Sequence, residues 1–175
     1  MRGPGAIREA TRSVAAMADV EVSLATPDET EQLVAGARTA YASGLRTQRG
    51  FTEEAAIAKA VADVLALLPE GAGTPAHVFL AARKGKALVG GIWVAVEGPD
   101  RADGAWVYHL EVHPRARRQG VAALLMREAA EAARERGASH LGLNVFGDNA
   151  GAIALYEALG YTVTAQQMIL PLAER

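Results

Sequence analysis

A strand, a sharp turn and an amphipathic helix follow one another over residues 105–136. The apolar run that begins this segment is typical of a strand, and Pro114 ends it because proline has no N–H to donate to a neighbouring strand. The helix over residues 119–136 has charged residues on one side and an apolar face formed by Val121, Leu124, Leu125, Ala129 and Ala132. This segment therefore predicts a fold that contains both a sheet and helices.

The remaining patterns predict the order of the elements. The predicted strands are residues 20–25, 77–83, 87–97, 105–113 and 139–146, with one or two more within 161–172, and the predicted helices are about 27–41, 51–68, 119–136 and 149–159, with a polar loop at 43–50. Short turns between the second, third and fourth strands favour an antiparallel meander, and the helix before the fifth strand favours a parallel crossover. The order β-α-α-β-β-β-α-β-α-β(β) is that of an α+β fold.

The length of 175 residues corresponds to one domain, large enough to bury about 70% of the surface of the unfolded chain. We expect residues 18–175 to form this domain and residues 1–17 to be a flexible N-terminal tail. No run of 18 apolar residues is present, which predicts that nothing spans a membrane. Charged residues interrupt the first sixteen positions, which argues against a secretory signal and favours a cytoplasmic location.

Cysteine is absent from the sequence, which excludes a cysteine nucleophile, a thiolate metal site and a disulfide. His77 and His140 are too scattered for a metal triad, so we expect no metal. The formal net charge of −2 gives no general attraction to nucleic acid or to an anionic membrane. We expect neither as a partner, and a monomer or a homodimer are both compatible with the sequence.

The turn before the long helix is suited to binding an anion. Arg115, Arg117 and Arg118 lie beside a helix N-terminus, where the first N–H groups have no partner within the helix and carry partial positive charge. Gly120 lacks the Cβ that would keep a diphosphate away from the backbone. The turn is neither a Walker loop nor the GxGxxG of dinucleotide-binding folds. Solvated arginines in an ordinary turn are the alternative explanation.

Two motifs stand about thirty residues apart in the second half of the chain. The first, V-x-P followed by R/Q-x-x-G-x-G/A, is present as Val112-His113-Pro114 and Arg117-Arg118-Gln119-Gly120-Val121-Ala122. The second is present as Asn149, Ala152, Leu155, Tyr156 and Leu159-Gly160-Tyr161. With both motifs the sequence resembles the GCN5-related N-acetyltransferase (GNAT) superfamily. This resemblance implies the GNAT fold, in which a mixed, mostly antiparallel central sheet has helices on both faces.

The resemblance also implies an enzyme that uses acetyl-CoA and no metal. In the family the CoA pyrophosphate binds the backbone amides that correspond to Arg118–Ala123, and the pantetheine arm lies along the fourth strand at Leu110–Val112. An asparagine, here Asn149, contacts the cofactor. The cofactor-binding residues expected from the resemblance are therefore Leu110, Val112, Arg117, Arg118, Gln119, Gly120, Val121, Ala122, Ala123 and Asn149.

Tyr156 is the candidate general acid, because the family places a tyrosine hydroxyl near the CoA sulfur. Asn149 and Tyr156 are seven residues apart, nearly two helical turns, so both side chains can reach one ligand. A phenol with an ordinary pKa near 10 is protonated at pH 7 and can donate to a thiolate whose conjugate acid has a pKa near 8.5. An aromatic residue at this spacing is otherwise a core residue.

Transfer to an amine also needs a base, because a free ammonium group has a pKa near 10.4. The candidates on the fourth strand are Tyr108, His109 and Glu111. Strict alternation places His109 and Glu111 on one face and Tyr108 on the other, although this strand often has a bulge in the family. We favour Glu111 as the catalytic base. A solvated strand carboxylate is the alternative.

The sequence therefore predicts an N-acetyltransferase that moves an acetyl group from acetyl-CoA to a primary amine. The absence of cysteine favours direct transfer in a ternary complex. The alternative is a non-catalytic acyl-CoA-binding regulatory module with the same fold. The family chooses its acceptor with the first two helices and their connection, here residues 41–51, and the sequence does not identify that amine.

Overall fold

The computed structural model describes residues 19–97, 104–170 and 172. The predicted tail at 1–17 and most of the turn after residue 97 lie outside these residues. The strands are β1 (Val20–Leu24), β2 (His77–Lys84), β3 (Ala87–Ala95), β4 (Gly104–Val112) and β5 (His140–Leu143), and the α-helices are α1 (Pro27–Arg49), α2 (Glu53–Leu67), α3 (Val121–Glu135) and α4 (Ala150–Ala158). Short 3-10 helices lie at Gly71–Gly73 and Pro114–Ala116. The chain forms two compact units, of which the first ends at Asn144 and the second begins at Val145.

The first unit contains a five-stranded sheet with the order β1-β2-β3-β4-β5. The first four strands pair antiparallel with their neighbours, whereas β5 runs parallel to β4. This arrangement confirms the predicted meander and the parallel crossover through α3. It also confirms the predicted α+β fold with a mixed, mostly antiparallel sheet.

Two neighbouring glycines in β3 show that helices cover both faces of this sheet. A Cβ built on Gly90 would lie 3.3 Å from Leu125 Cδ1 of α3, whereas a Cβ built on Gly91 would lie 2.5 Å from Leu33 Cδ2 of α1. Because successive residues of a strand point to opposite faces, α3 and α1 lie on opposite sides of the sheet. Both leucines are buried, so each face has its own apolar contact.

Helix α1 is longer than the sequence predicted. The predicted end near Tyr41 and the predicted loop at 43–50 are wrong, because the helix continues to Arg49 and ends at Gly50, whose φ is 68°. The added turns are stabilised by α2: Ala42 and Leu45 form a buried cluster with Ala56 and Ala60. This packing between helices overrides the polar composition of the segment.

The strand predicted within residues 161–172 is also not observed among the described residues. Residues 161–170 and 172 have no strand pairing, and their apolar side chains are more than half exposed: Val163, Met168, Ile169, Leu170 and Leu172. A strand needs a hydrogen-bonded neighbour, which an alternating sequence cannot itself supply. None of the helices in the described residues has the length and apolar character needed to cross a membrane.

Candidate functional site

The loop between β4 and α3 leaves a helix N-terminus open. Gly120 is the N-cap of α3, with φ of 81°, and no side chain accepts a hydrogen bond from the first turn. The other described α-helices have side-chain caps from Thr26, Thr52 and Asn149. The unpaired N–H groups and partial positive charge at the start of α3 are suited to a phosphate group.

The polar side chains of this loop hold its backbone in shape. Arg117 Nε donates to Val112 O at 3.1 Å, and Gln119 Nε2 donates to Arg115 O at 2.8 Å. Arg118 has a positive φ of 60°, two residues before Gly120, whose φ is also positive. The structure therefore brings the predicted residues 117–123 together as one tight turn followed by a helix start, with the three arginines exposed to solvent.

Strand β4 has an open edge beside this loop. Strand β5 pairs with β4 only from Gly104 to Val107, where Leu143 is the last paired residue of β5. Beyond Val107, the described residues supply no strand partner on that side of β4. The backbone of residues 108–112, which includes the predicted Leu110 and Val112, can therefore bind an extended ligand as a further strand would be bound.

A β-bulge changes which side chains of β4 share a face. Trp93 pairs with His109, and the next residue of β3, Val94, pairs with Val107, so Tyr108 is the extra residue. The Tyr108 ring lies 5.0 Å from the Trp93 ring, on the side of the sheet that packs against α1. The strict alternation that would place Tyr108 opposite His109 is therefore wrong, and the bulge brings both residues to one face.

His109 and Glu111 form a side-chain pair on this face. His109 Nε2 lies 3.1 Å from Glu111 Oε2, and the His109 side chain is 10% exposed whereas the Glu111 side chain is 40% exposed. A Cβ built on Gly36 of α1 would lie 2.5 Å from Glu111 Oε2. The sequence placed both side chains on one face but did not indicate that α1 approaches them at Gly36.

His77 is part of the packed aromatic cluster beside this pair. Trp93 Nε1 donates to His77 Nδ1 at 2.9 Å, and burial lowers the pKa of His77. Its neutral ring therefore satisfies the indole N–H within the core. In the part of the chain that the structure describes, no three His, Asp or Glu side chains are grouped to hold a metal ion.

Helix α4, in the second unit, is defined at both ends by local hydrogen bonds. Asn149 Oδ1 accepts from Ala152 N at 3.2 Å, which makes Asn149 the N-cap. At the other end, Tyr161 N donates to Tyr156 O at 3.0 Å and Gly160 has φ of 89°. This Schellman arrangement explains the L-G-Y motif, because only glycine adopts the left-handed conformation readily.

The same helix end places two tyrosine rings together. The rings of Tyr156 and Tyr161 are 5.8 Å apart at 56°. Burial raises the pKa of Tyr156, and burial together with the neighbouring Tyr156 raises the pKa of Tyr161 to about 12. Both phenols are therefore protonated at neutral pH and able to donate a proton.

Comparison with known proteins identifies similar chains. A family model described as Acetyltransferase (GNAT) family matches residues 45–161. The uncharacterized N-acetyltransferase YdgE of Bacillus subtilis is 29% identical over 124 residues, which are 70% of this chain and 78% of that protein. Streptothricin acetyltransferase of Streptomyces lavendulae is 50% identical over 52 residues, 30% of this chain and 28% of that protein.

A solved structure matches the fold over most of the chain. The crystal structure of YycN from Bacillus subtilis, an uncharacterized N-acetyltransferase, has a TM-score of 0.79 and 25% identity to this chain. The match covers 89% of this chain and 99% of that one. The similarity therefore extends beyond the motifs at residues 112–122 and 149–161 to the arrangement of the elements.

Proposed function

Because the chain belongs to the GNAT acetyltransferase family, we propose that it transfers the acetyl group of acetyl-CoA directly to a primary amine in a ternary complex. The observation that carries this proposal is the continuous segment of residues 108–120. It presents an open strand edge, a half-exposed carboxylate on Glu111 and the uncapped start of α3. These features are suited to pantetheine, to an amine and to a diphosphate, respectively.

The cofactor is proposed to bind through backbone groups more than through side chains. The N–H groups of Arg118–Ala123 would donate to the pyrophosphate, Leu110 and Val112 would bind the pantetheine, and the exposed arginines would add positive charge. The side-chain oxygen of Asn149 is used as a helix cap. Its amide N–H groups are the atoms that we propose to contact the cofactor.

In the proposed reaction, Glu111 accepts the proton that the amine nitrogen loses. The amine lone pair attacks the thioester carbonyl, a C–N bond forms and the C–S bond breaks. The Tyr156 hydroxyl then donates its proton to the CoA thiolate that leaves. Solvent afterwards takes the proton from Glu111 and returns one to the Tyr156 phenolate, so both residues regain their starting states. Burial raises the pKa of Tyr156, so the phenol keeps its proton over the neutral range until the thiolate forms.

The first experiment measures free thiol released from acetyl-CoA with a panel of primary amines: L-lysine, spermidine, kanamycin, streptothricin and a peptide with a free N-terminus. We expect Tyr156→Phe to lower kcat at least about tenfold with little change in acetyl-CoA affinity. Tyr161→Phe is the matched control, because it removes a neighbouring hydroxyl and keeps the ring contact. Unchanged kcat in Tyr156→Phe would remove Tyr156 from the mechanism.

Direct transfer also predicts sequential kinetics. A burst of CoA release before an amine is added, together with a trapped acetyl-enzyme, would contradict it. Binding of acetyl-CoA without transfer to any amine would favour the non-catalytic regulatory module.

A cytoplasmic location and a monomeric or homodimeric state stay predictions from the sequence.

A further inference from the structure

The side chains of His109 and Glu111 are in contact, with 3.1 Å between His109 Nε2 and Glu111 Oε2. The proposed role of Glu111 as the base requires an ionised carboxylate, which has no proton to donate, so in that state the hydrogen of the contact belongs to His109 Nε2. The exposures are unequal, since the imidazole is 10% exposed and the carboxylate is 40% exposed. The imidazole therefore lies behind the carboxylate, which remains open to a ligand.

Helix α1 leaves space for this pair at one residue. A Cβ built on Gly36 would lie 2.5 Å from Glu111 Oε2 and 3.1 Å from His109 Nε2. Glycine is among the least favourable residues inside a helix, and Ala35 and Ala37 on either side show that this turn otherwise consists of good helix formers. Gly36 is therefore explained by its close approach to Glu111 and not by the needs of the helix.

We propose that His109 is a positioning residue for the acetyl transfer, because its Nε2–H holds Glu111 Oε2 in the space left by Gly36 and leaves Oε1 to accept the proton of the acceptor amine. This inference depends on the proposed role of Glu111 as the base. A glutamate on a strand loses side-chain freedom when it is held in one place, and an existing hydrogen bond means that this ordering precedes substrate binding. The Glu111 carboxylate is 40% exposed, so water can solvate it when the hydrogen bond is lost, and we expect the loss to lower turnover more than stability.

The test compares two replacements of His109 in the full chain, with the amine of the panel that reacts fastest. His109→Phe keeps a ring and removes the donor, and we expect kcat to fall about tenfold while the KM for acetyl-CoA stays within about twofold. His109→Gln returns an N–H donor at a similar reach, and we expect kcat within about threefold of the wild type. Equal losses in the two variants would overturn the proposal.

Double variants test whether His109 and Gly36 act through Glu111. Gly36→Ala should lower kcat because the new methyl displaces the carboxylate, although alanine favours the helix. In a Glu111→Gln background, His109→Phe and Gly36→Ala should have no further effect on kcat. Additive losses would overturn the proposal, because they would show that each residue acts independently of the carboxylate.

The outcomes separate this inference from the proposed function. If Glu111→Gln keeps the full kcat, then Glu111 is not the base, and both the base assignment and the role of His109 fall. If Glu111→Gln loses activity while His109→Phe does not, only the proposed role of His109 is contradicted.

A second measurement needs no amine and uses the ¹⁵N chemical shifts of the His109 ring. The Nε2–H tautomer should dominate in the wild type and lose population in Glu111→Ala, and an unchanged spectrum would overturn the proposal.

Discussion

Helices α1 and α3 begin in opposite ways. At the start of α1, Thr26 Oγ1 accepts from Glu29 N at 3.3 Å and Thr26 N donates to Glu29 Oε2 at 2.8 Å, which is a complete capping box. At the start of α3, Gly120 supplies no side chain and the first N–H groups have no side-chain acceptor. Both helices pack on the same sheet, so the difference concerns how their N-terminal N–H groups are satisfied and not the surface on which they pack.

The capped N-terminus of α1 contributes to folding, whereas the uncapped N-terminus of α3 is available to a ligand. A side-chain cap satisfies backbone donors at all times, whereas an uncapped start can exchange water for a diphosphate. Arg115, Arg117 and Arg118 lie beside the uncapped start of α3, whereas the first turn of α1 carries the acidic residues Asp28 and Glu29. The positive charge nearby and the missing cap therefore both favour the N-terminus of α3 as the proposed anion site. Substitutions at the starts of α1 and α3 can test this difference between the two helices.

Gly120→Asp is expected to have the largest effect. The aspartate would cap α3 and place a negative charge where we propose that the diphosphate binds, so the Kd of acetyl-CoA should rise about 100-fold, measured by isothermal titration calorimetry. Gly120→Asn has the same size without the charge and should weaken binding less. Gly137→Asp is the control for backbone strain, since Gly137 follows α3 and has a similar φ of 86°. An unchanged Kd in Gly120→Asp would show that the diphosphate binds elsewhere.

Glu29→Gln should affect stability and leave binding unchanged. Arg83 Nε donates to Glu29 Oε1 at 2.8 Å, and the Glu29 side chain is 14% exposed. We expect the free energy of unfolding at pH 7 to fall by about 2 kcal/mol, measured by urea denaturation. The Kd of acetyl-CoA should not change, because this residue caps a helix that we assign no role in binding the diphosphate. Glu31→Gln, at an exposed position of the same helix, should change neither quantity.

The Glu29 effect should depend on pH with a defined sign. The hydrogen bond from Arg83 is the main reason that the pKa of Glu29 lies below its ordinary value. A carboxylate with a lowered folded-state pKa stabilises fully above its unfolded pKa of about 4.3, and this contribution is lost as the pH falls through the folded value. The difference in unfolding free energy between the wild type and Glu29→Gln should therefore shrink below about pH 4. A difference that stays constant down to pH 2 would contradict this account.

Asn149 allows a further test of the difference between capped and uncapped helix starts. It caps α4, and we also propose that it contacts acetyl-CoA. Asn149→Ser keeps a cap oxygen and loses the amide donors, so we expect stability to be retained and the Kd of acetyl-CoA to rise about fivefold. Asn149→Ala loses the cap as well, and the free energy of unfolding should fall by about 1 kcal/mol. If Asn149→Ser binds acetyl-CoA as tightly as the wild type does, then Asn149 is a cap and makes no contact with the cofactor.

The parts predicted correctly are those that depend on short stretches of sequence. The strand, its end at Pro114, the turn and the helix were predicted between residues 105 and 136, although the helix begins at Val121 and not at residue 119. The predicted helix over residues 149–159 agrees with α4, and the Schellman hydrogen bonds around Gly160 explain where this helix ends. Capping and turn chemistry act over about six residues, so composition and spacing are enough to detect them.

The parts predicted wrongly depend on contacts between distant residues. The last turns of α1 exist because Leu45 packs against α2, and the segment after Tyr161 has no strand partner among the described residues. The bulge at Tyr108, which the family resemblance offered as the alternative to strict alternation, depends on the register between β3 and β4. None of these contacts can be read from the local pattern, because helix packing and strand pairing involve residues far apart in the chain.

The sequence by itself determined the two motifs and, through them, the family, since the motifs depend on residue types at short spacing. It also predicted an anion site in the loop before α3. Only the tertiary structure decided that Tyr108 and His109 share a face, that His109 Nε2 contacts Glu111 Oε2 and that Gly36 makes room for the carboxylate. The physical reason is that a hydrogen bond or a close approach is set by the register of strands and the depth at which a helix packs. The residue types were visible in the sequence, and their distances were not.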